Sequence, residues 1–252
     1  MSQSSAKIRS QSVYLLPNLF TLGGFFAAFY AVIAAMHGRY EHAAIAILLA
    51  MVMDGLDGAV ARLVDAASEF GKQLDSLADI VSFGLTPAIV VYSWSLQYLG
   101  KIGWLVAFLY AACSALRLAR FNIQPSSKHF QGLSTTMAAG FVATGVWASS
   151  QAPFWGQSHP WVVMIAVIVL SVLKVSTVRY ESLKGVGLGR KLPFFAVLVL
   201  LVALVLVALD PPDVLFLIAF LYVLSGPTIV LWNLFAARFW ARGVITYDKE
   251  EG

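Results

Sequence analysis

The chain has 252 residues, 60% of them hydrophobic and only 12% charged, about half the charged share of an average soluble domain. No single soluble core of this length hides so much apolar surface, so the composition excludes a water-soluble globular protein and predicts an all-α, polytopic helical membrane protein. The net charge of +4 is dispersed among short loops, which argues against a nucleic-acid partner, and the lone Cys113 excludes an internal disulfide and any cysteine-based metal site.

Eight apolar segments are predicted to span the bilayer, at 14–36, 42–62, 72–97, 102–121, 135–152, 160–175, 192–209 and 213–237. They form one transmembrane domain, 14–238, between an N-terminal segment, 1–13, and a C-terminal tail, 239–252. The N-terminal segment is polar and has no cleavable apolar core, so the first span stays as an anchor. Lys7 and Arg9 precede the first span. Arg62 and Lys72 lie between the second and third, and Arg117, Arg120 and Lys128 flank the fourth. Lys174, Arg179, Lys184, Arg190 and Lys191 fall between the sixth and seventh, and Arg238, Arg242 and Lys249 follow the eighth. Only Arg39 and Lys101 fall on the opposite side, so the basic residues predict both termini in the cytoplasm. The same cations attract anionic membrane lipids.

The second and third spans hold the unusual feature. Of thirteen acidic residues, six fall between positions 54 and 79, and Asp54, Asp57, Asp75 and Asp79 lie in or beside apolar helix. Each carboxylate costs roughly 2.5–3.5 kcal/mol at the bilayer centre and less near its edge, so something must compensate. Asp54 and Asp57 are one turn apart, with Gly58, Ala61 and Arg62 continuing that side of the helix. Gly71, Asp75 and Asp79 repeat at i, i+4 and i+8 on the next. A short turn predicts antiparallel neighbours with facing stripes. Oxygen-only ligands favour Mg²⁺, Mn²⁺ or Ca²⁺ over zinc, and four negative charges balance two divalent cations. Arg62 would steady a diphosphate by charge-assisted hydrogen bonds. Alternative readings are a structural ion pair, which Arg62 satisfies for one carboxylate but not four, a cation carrier, or a non-catalytic membrane scaffold.

The stretch DGLDGAVARLVDAASEFGKQLDSLAD, residues 54–79, has the pattern D-x2-D-G-x2-A-R-x8-G-x3-D-x3-D. It resembles the signature of the CDP-alcohol phosphotransferase family at every fixed position. The resemblance implies a six-helix membrane core, often in a homodimer, with Asp54, Asp57 and Asp75 as metal ligands. It also implies Asp79 as general base and further metal ligand, and Gly58, Ala61, Arg62 and Gly71 around the CDP part of the donor. Asn18 either caps the first span or, as the resemblance implies, lines the nucleotide site.

Three further stretches, LLPNLFTLGGFFAAF, DSLADIVSFGLTPA and ALRLARFN, resemble the branch of that family that uses CDP-diacylglycerol as donor and L-serine as acceptor. That branch carries eight spans. Where it typically has prolines after the polar loop, this chain has Ser134 and Thr136. Arg117 and Arg120, one turn apart, are either interfacial anchors or ligands for the acceptor's carboxylate, with Ser82 and Asn122 as candidates for the same pocket. Glycerol 3-phosphate, inositol phosphate, choline and a second lipid are the rival acceptors. Asp65 and Glu69 are predicted to be solvated, and His129 to lack a partner that would make it a base.

Overall fold

The computed structural model describes residues 2–63, 68–123, 132–149, 155–178, 180 and 194–247, and among these every regular element is helical. Helix α1 (Ser2–Met36) turns through Gly38 into α2 (Tyr40–Leu63). Gly38 takes φ 71°, while Arg39 N donates to Ala34 O at 2.9 Å and Gly38 N to Ala35 O at 3.0 Å. This is the Schellman arrangement, which needs a left-handed residue that glycine adopts without steric cost. The two helices then pack through alanines, Ala28, Ala31 and Ala34 against Ala43, Ala44 and Ala50, all fully or almost fully buried. Small side chains let the backbones approach closely, and dispersion rather than water exclusion holds helices together in lipid.

Helix α3 (Glu69–Asp79) begins at Ser68, whose hydroxyl accepts from Gly71 N at 3.0 Å as an N-cap. A π-helical turn (Ile80–Leu85) follows directly after Asp79, then α4 (Thr86–Trp94) and a 3₁₀ turn (Leu96–Leu99). The single span expected at 72–97 is therefore one apolar run in three segments. Pro87 explains part of the change: it has no N–H for the Phe83 carbonyl four residues back. The Tyr110 hydroxyl approaches that oxygen at 3.5 Å, long for a hydrogen bond.

Helix α5 (Lys101–Ile123) leads to α6 (Thr135–Ala148), the short α7 (Trp155–Ser158) and α8 (Pro160–Val175). Helices α9 (Phe194–Leu209) and α10 (Pro211–Tyr247) complete the chain. Among the described residues, five runs are long and apolar enough to cross a bilayer: 18–36, 40–60, 69–94, 101–123 and 211–230. Helices α6, α8 and α9 are shorter and apolar, and they fall where the fifth, sixth and seventh spans are expected. The eight expected spans thus correspond in order to helical segments, and the molecule is a polytopic helical membrane protein. The first and last helices run well past their apolar portions, α1 starting at Ser2 and α10 continuing to Tyr247.

Two features tie elements of the second half together. Gly132, with φ 79°, donates from its N to Val178 O at 2.8 Å, and Leu133 N donates to Leu173 O at 2.9 Å, joining the entry of α6 to the end of α8. A Cβ at position 132 would run into the Lys174 carbonyl, so only glycine fits there. Pro227 inside α10 leaves Val223 O without its helical donor, and the Tyr180 hydroxyl donates to that oxygen at 3.1 Å.

Candidate active site

Four aspartates meet where α1, α2 and α3 converge. One carboxylate oxygen from each of Asp54, Asp57 and Asp75 lies within 4.8 Å of the others. Asp79 lines the same cleft, within hydrogen-bonding reach of Asp54 and in electrostatic range of Asp57 and Asp75. Carboxylates this close do not all remain charged unless a proton or a cation lies among them. Asp57 is the most enclosed, 7% exposed, and accepts a 2.9 Å hydrogen bond from the Thr21 hydroxyl of α1.

The expected pairing of α2 and α3 needs one correction. Among the described residues α3 packs chiefly on α1, and α1 also packs along α2. The two acidic stripes therefore meet over a wall made by α1, with Thr21, Gly24 and Phe25 lining the cleft beside the carboxylates. That wall explains why Thr21, absent from the sequence-based candidates, contributes to the site. Its signal was its position one turn after Asn18 in the same helix.

The nucleotide-site candidates separate into two groups. Asn18 lies in the interior of α1, so it is not a helix cap. Its Oδ1 stands 3.2 Å from where a Cβ of Gly71 would be, and Ser68 Oγ stands 3.1 Å from the same point. Glycine at 71 is thus what lets α3 approach Asn18. Gly58 is exposed, and nothing lies within 4 Å of its missing Cβ, which leaves its backbone open to a ligand. The side chains of Ala61 and Arg62, and residues 64–67 and 124–131 with Asp65 and His129, lie outside the described residues. Glu69 is exposed in the first turn of α3 and pairs with Lys72 at 2.6 Å.

Of the acceptor candidates, Ser82 is 3% exposed and lines the cleft from the π-helical turn. Ser82 and Asp79, three residues apart, both line that cleft. Arg117 of α5 is partly buried, in electrostatic range of Asp79, and its Nη1 donates to Thr135 Oγ1 at 3.4 Å. Arg120 is exposed one turn further on. Asn122 is exposed and bonds Ser76 of α3, its Nδ2 donating to Ser76 Oγ at 3.2 Å, so it ties α5 to α3 at the rim. Ser134, standing where prolines were expected, accepts from Met137 N at 3.0 Å and caps α6. Lys174, expected among loop cations, is instead 1% exposed in the last turn of α8.

The donor set fits a divalent metal: clustered carboxylates, no sulfur or imidazole, and a hydroxyl orienting one of them from behind. Fold and site together define a helical membrane protein with an intramembrane carboxylate centre suited to a hard cation. The chain belongs to the CDP-alcohol phosphatidyltransferase family, a family of enzymes whose model matches residues 14–173. It is 33% identical over 223 residues to a CDP-diacylglycerol–serine O-phosphatidyltransferase of Helicobacter pylori, covering 87% of this chain and 92% of that one. It is 35% identical over 188 residues to the enzyme of that name from Mycobacterium tuberculosis, covering 71% and 65% of the two chains. An archaetidylserine synthase of Methanothermobacter thermautotrophicus is 36% identical over 183 residues, 70% of this chain and 73% of that one.

Proposed function

We propose that the protein transfers the phosphatidyl group of CDP-diacylglycerol to the hydroxyl of L-serine, giving phosphatidylserine and CMP. The observation that carries this reading is the complete acidic signature, folded so that Asp54, Asp57 and Asp75 converge with Asp79 in one cleft. Similarity to serine-using enzymes over most of the chain supports the acceptor.

In this reading the chain is one catalytic domain, 14–238, in a bacterial cytoplasmic membrane as a homodimer, with the acidic cleft and both termini facing the cytoplasm. The distribution of basic residues supports that orientation. Asp54, Asp57, Asp75 and Asp79 would hold two divalent cations, Mg²⁺ or Mn²⁺. When bound, such ions supply Lewis-acid stabilisation of charge on a diphosphate. Thr21 holds the carboxylate of Asp57 in one orientation. Asn18, Gly58, Ala61, Arg62 and Gly71 surround the cytidine diphosphate while the acyl chains remain in lipid. Asp79 accepts the proton of the serine hydroxyl as its oxygen attacks the phosphorus attached to diacylglycerol. The new P–O bond forms as the bond to CMP breaks, and the electron pair leaves with CMP. A carboxylate is a weak base for an alcohol, so proton transfer accompanies attack. Ser82 and Arg117 face the acceptor, with Arg120 and Asn122 at the rim.

The test supplies purified protein with CDP-diacylglycerol, Mg²⁺ or Mn²⁺, and serine, glycerol 3-phosphate, inositol phosphate or choline in turn. Product lipid formed with serine alone is the expected result. Turnover with another acceptor and none with serine would overturn the acceptor assignment while retaining the donor chemistry.

A further inference from the structure

Lys174 is buried and Arg117 partly buried, and no ion pair within the described residues neutralises either. Lys174 of α8 is 1% exposed. Its Nζ donates to Ser114 Oγ at 2.7 Å and to Tyr110 O at 3.3 Å, and it lies over the Tyr110 ring, 2.8 Å from the centroid. Dipoles and a ring face solvate the ammonium, but they do not cancel its charge. Arg117, on the same α5 helix, lies in electrostatic range of Lys174. Its Nε is buried and has no hydrogen-bond partner. An unpaired N–H of a buried guanidinium costs more than an ordinary unmade hydrogen bond.

Local geometry shows where the guanidinium is directed. Tyr110, Ser114 and Arg117 are spaced i, i+4, i+7 and form one stripe of α5. Lys174 Nζ takes up Tyr110 O and Ser114 Oγ, in the two turns that precede Arg117 on this stripe. Like-charge repulsion drives the guanidinium away from it, toward α6, Asp79 and α10. There Thr135 Oγ1 accepts from Nη1, and Tyr222 of α10 comes into electrostatic range. Tyr222 is half-buried, with its ring centroid 5.6 Å from that of Tyr180. Tyr180 is itself fixed by the bond to Val223 O.

We propose that Arg117 and Tyr222 form the subsite that binds the carboxylate of the acceptor amino acid, with Lys174 as a positioning residue behind Arg117. This rests on the reading of the protein as a serine-using transferase. The chemistry follows from the groups: a planar guanidinium with an unused N–H and a phenol donor match a carboxylate, and the second cation makes the pocket favour an anion. Serine without its carboxylate is ethanolamine, which keeps the hydroxyl and the ammonium. The subsite therefore predicts discrimination between these two alcohols.

The experiment compares wild type, Tyr222→Phe and Lys174→Met, as full-length protein in lipid nanodiscs, measuring CMP release against L-serine, ethanolamine and CDP-diacylglycerol concentration. In both variants the KM for serine should rise about tenfold or more, and the preference for serine over ethanolamine should fall by a similar factor. The KM for CDP-diacylglycerol should stay within about twofold. A general structural defect would lower turnover of both alcohols together and leave their ratio unchanged, which would overturn the proposal. A rise in the CDP-diacylglycerol KM with serine unaffected would assign the cations to the donor's phosphates and also overturn it. If Lys174→Met does not give a monodisperse protein, Tyr222→Phe decides alone, and an unchanged serine KM in that variant rejects the subsite. Wild type that releases no CMP with serine fails the underlying reading, a result distinct from any of these.

Discussion

The hydroxyl of Thr21 on α1 donates to the carboxylate of Asp57 on α2, across a helix contact rich in buried alanine. The bond leaves Asp57 one fixed orientation toward Asp54 and Asp75. Replacing a residue that orients a metal ligand typically lowers metal affinity by about 10–100-fold. Thr21→Val keeps the shape and removes the donor. The Mn²⁺ concentration giving half-maximal turnover should therefore rise by about tenfold or more, with maximal rate restored at high Mn²⁺. An unchanged Mn²⁺ dependence would reduce Thr21 to a packing residue.

Gly71 of α3 lies against Asn18 of α1. A methyl group there would stand 3.1 Å from Ser68 Oγ and 3.2 Å from Asn18 Oδ1, tighter than ordinary contact. Both neighbours would shift, one a helix cap and the other a candidate for the nucleotide site. Gly71→Ala should raise the KM for CDP-diacylglycerol by about tenfold, on the scale of one disturbed polar contact, with the serine KM little changed. Titrating each substrate separately distinguishes this from a general loss of folding.

Asp79 sits at the junction of α3 and the π turn, within hydrogen-bonding reach of Asp54. If it takes the proton from the acceptor, Asp79→Asn should lower kcat by about 10²–10⁴-fold while binding of CDP-diacylglycerol remains measurable. Equilibrium binding of the lipid alongside turnover provides the check. Near-normal rates in this variant would remove Asp79 as the base.

Pro227 and Tyr180 give a stability prediction. The Tyr180 hydroxyl supplies the hydrogen bond to Val223 O that proline cannot. Tyr180→Phe leaves that carbonyl unpaired inside the protein, at a cost of about 1–3 kcal/mol. A drop of several degrees in Tm, measured in detergent, should follow. An unchanged Tm would mean that another donor replaces the hydroxyl.

The acidic centre was legible in the sequence because carboxylates in apolar helix are costly, and the positions of Asp54, Asp57, Asp75 and Asp79 follow helical periodicity. Its surroundings were not. Thr21 reads as an ordinary polar residue in a span, and only the α1–α2 packing brings it to Asp57. Lys174 reads as one more basic residue at a helix end, because nothing local signals that Tyr110 and Ser114 of α5 enclose it. The run 72–97 reads as one helix, since hydropathy does not register the change from α to π hydrogen bonding before Pro87. Ser134 was legible as a departure from a proline pattern, and its role as the cap of α6 emerged only from its backbone.

The carboxylate cleft is expected to carry out metal-dependent transfer from a CDP-activated lipid. The most direct measurement is CMP and phosphatidylserine release by the purified protein from CDP-diacylglycerol and L-serine, with and without EDTA. Equal amounts of the two products, full loss with EDTA and recovery on adding Mg²⁺ or Mn²⁺ are the expected result. Absence of CMP release with every acceptor and every divalent cation would contradict it.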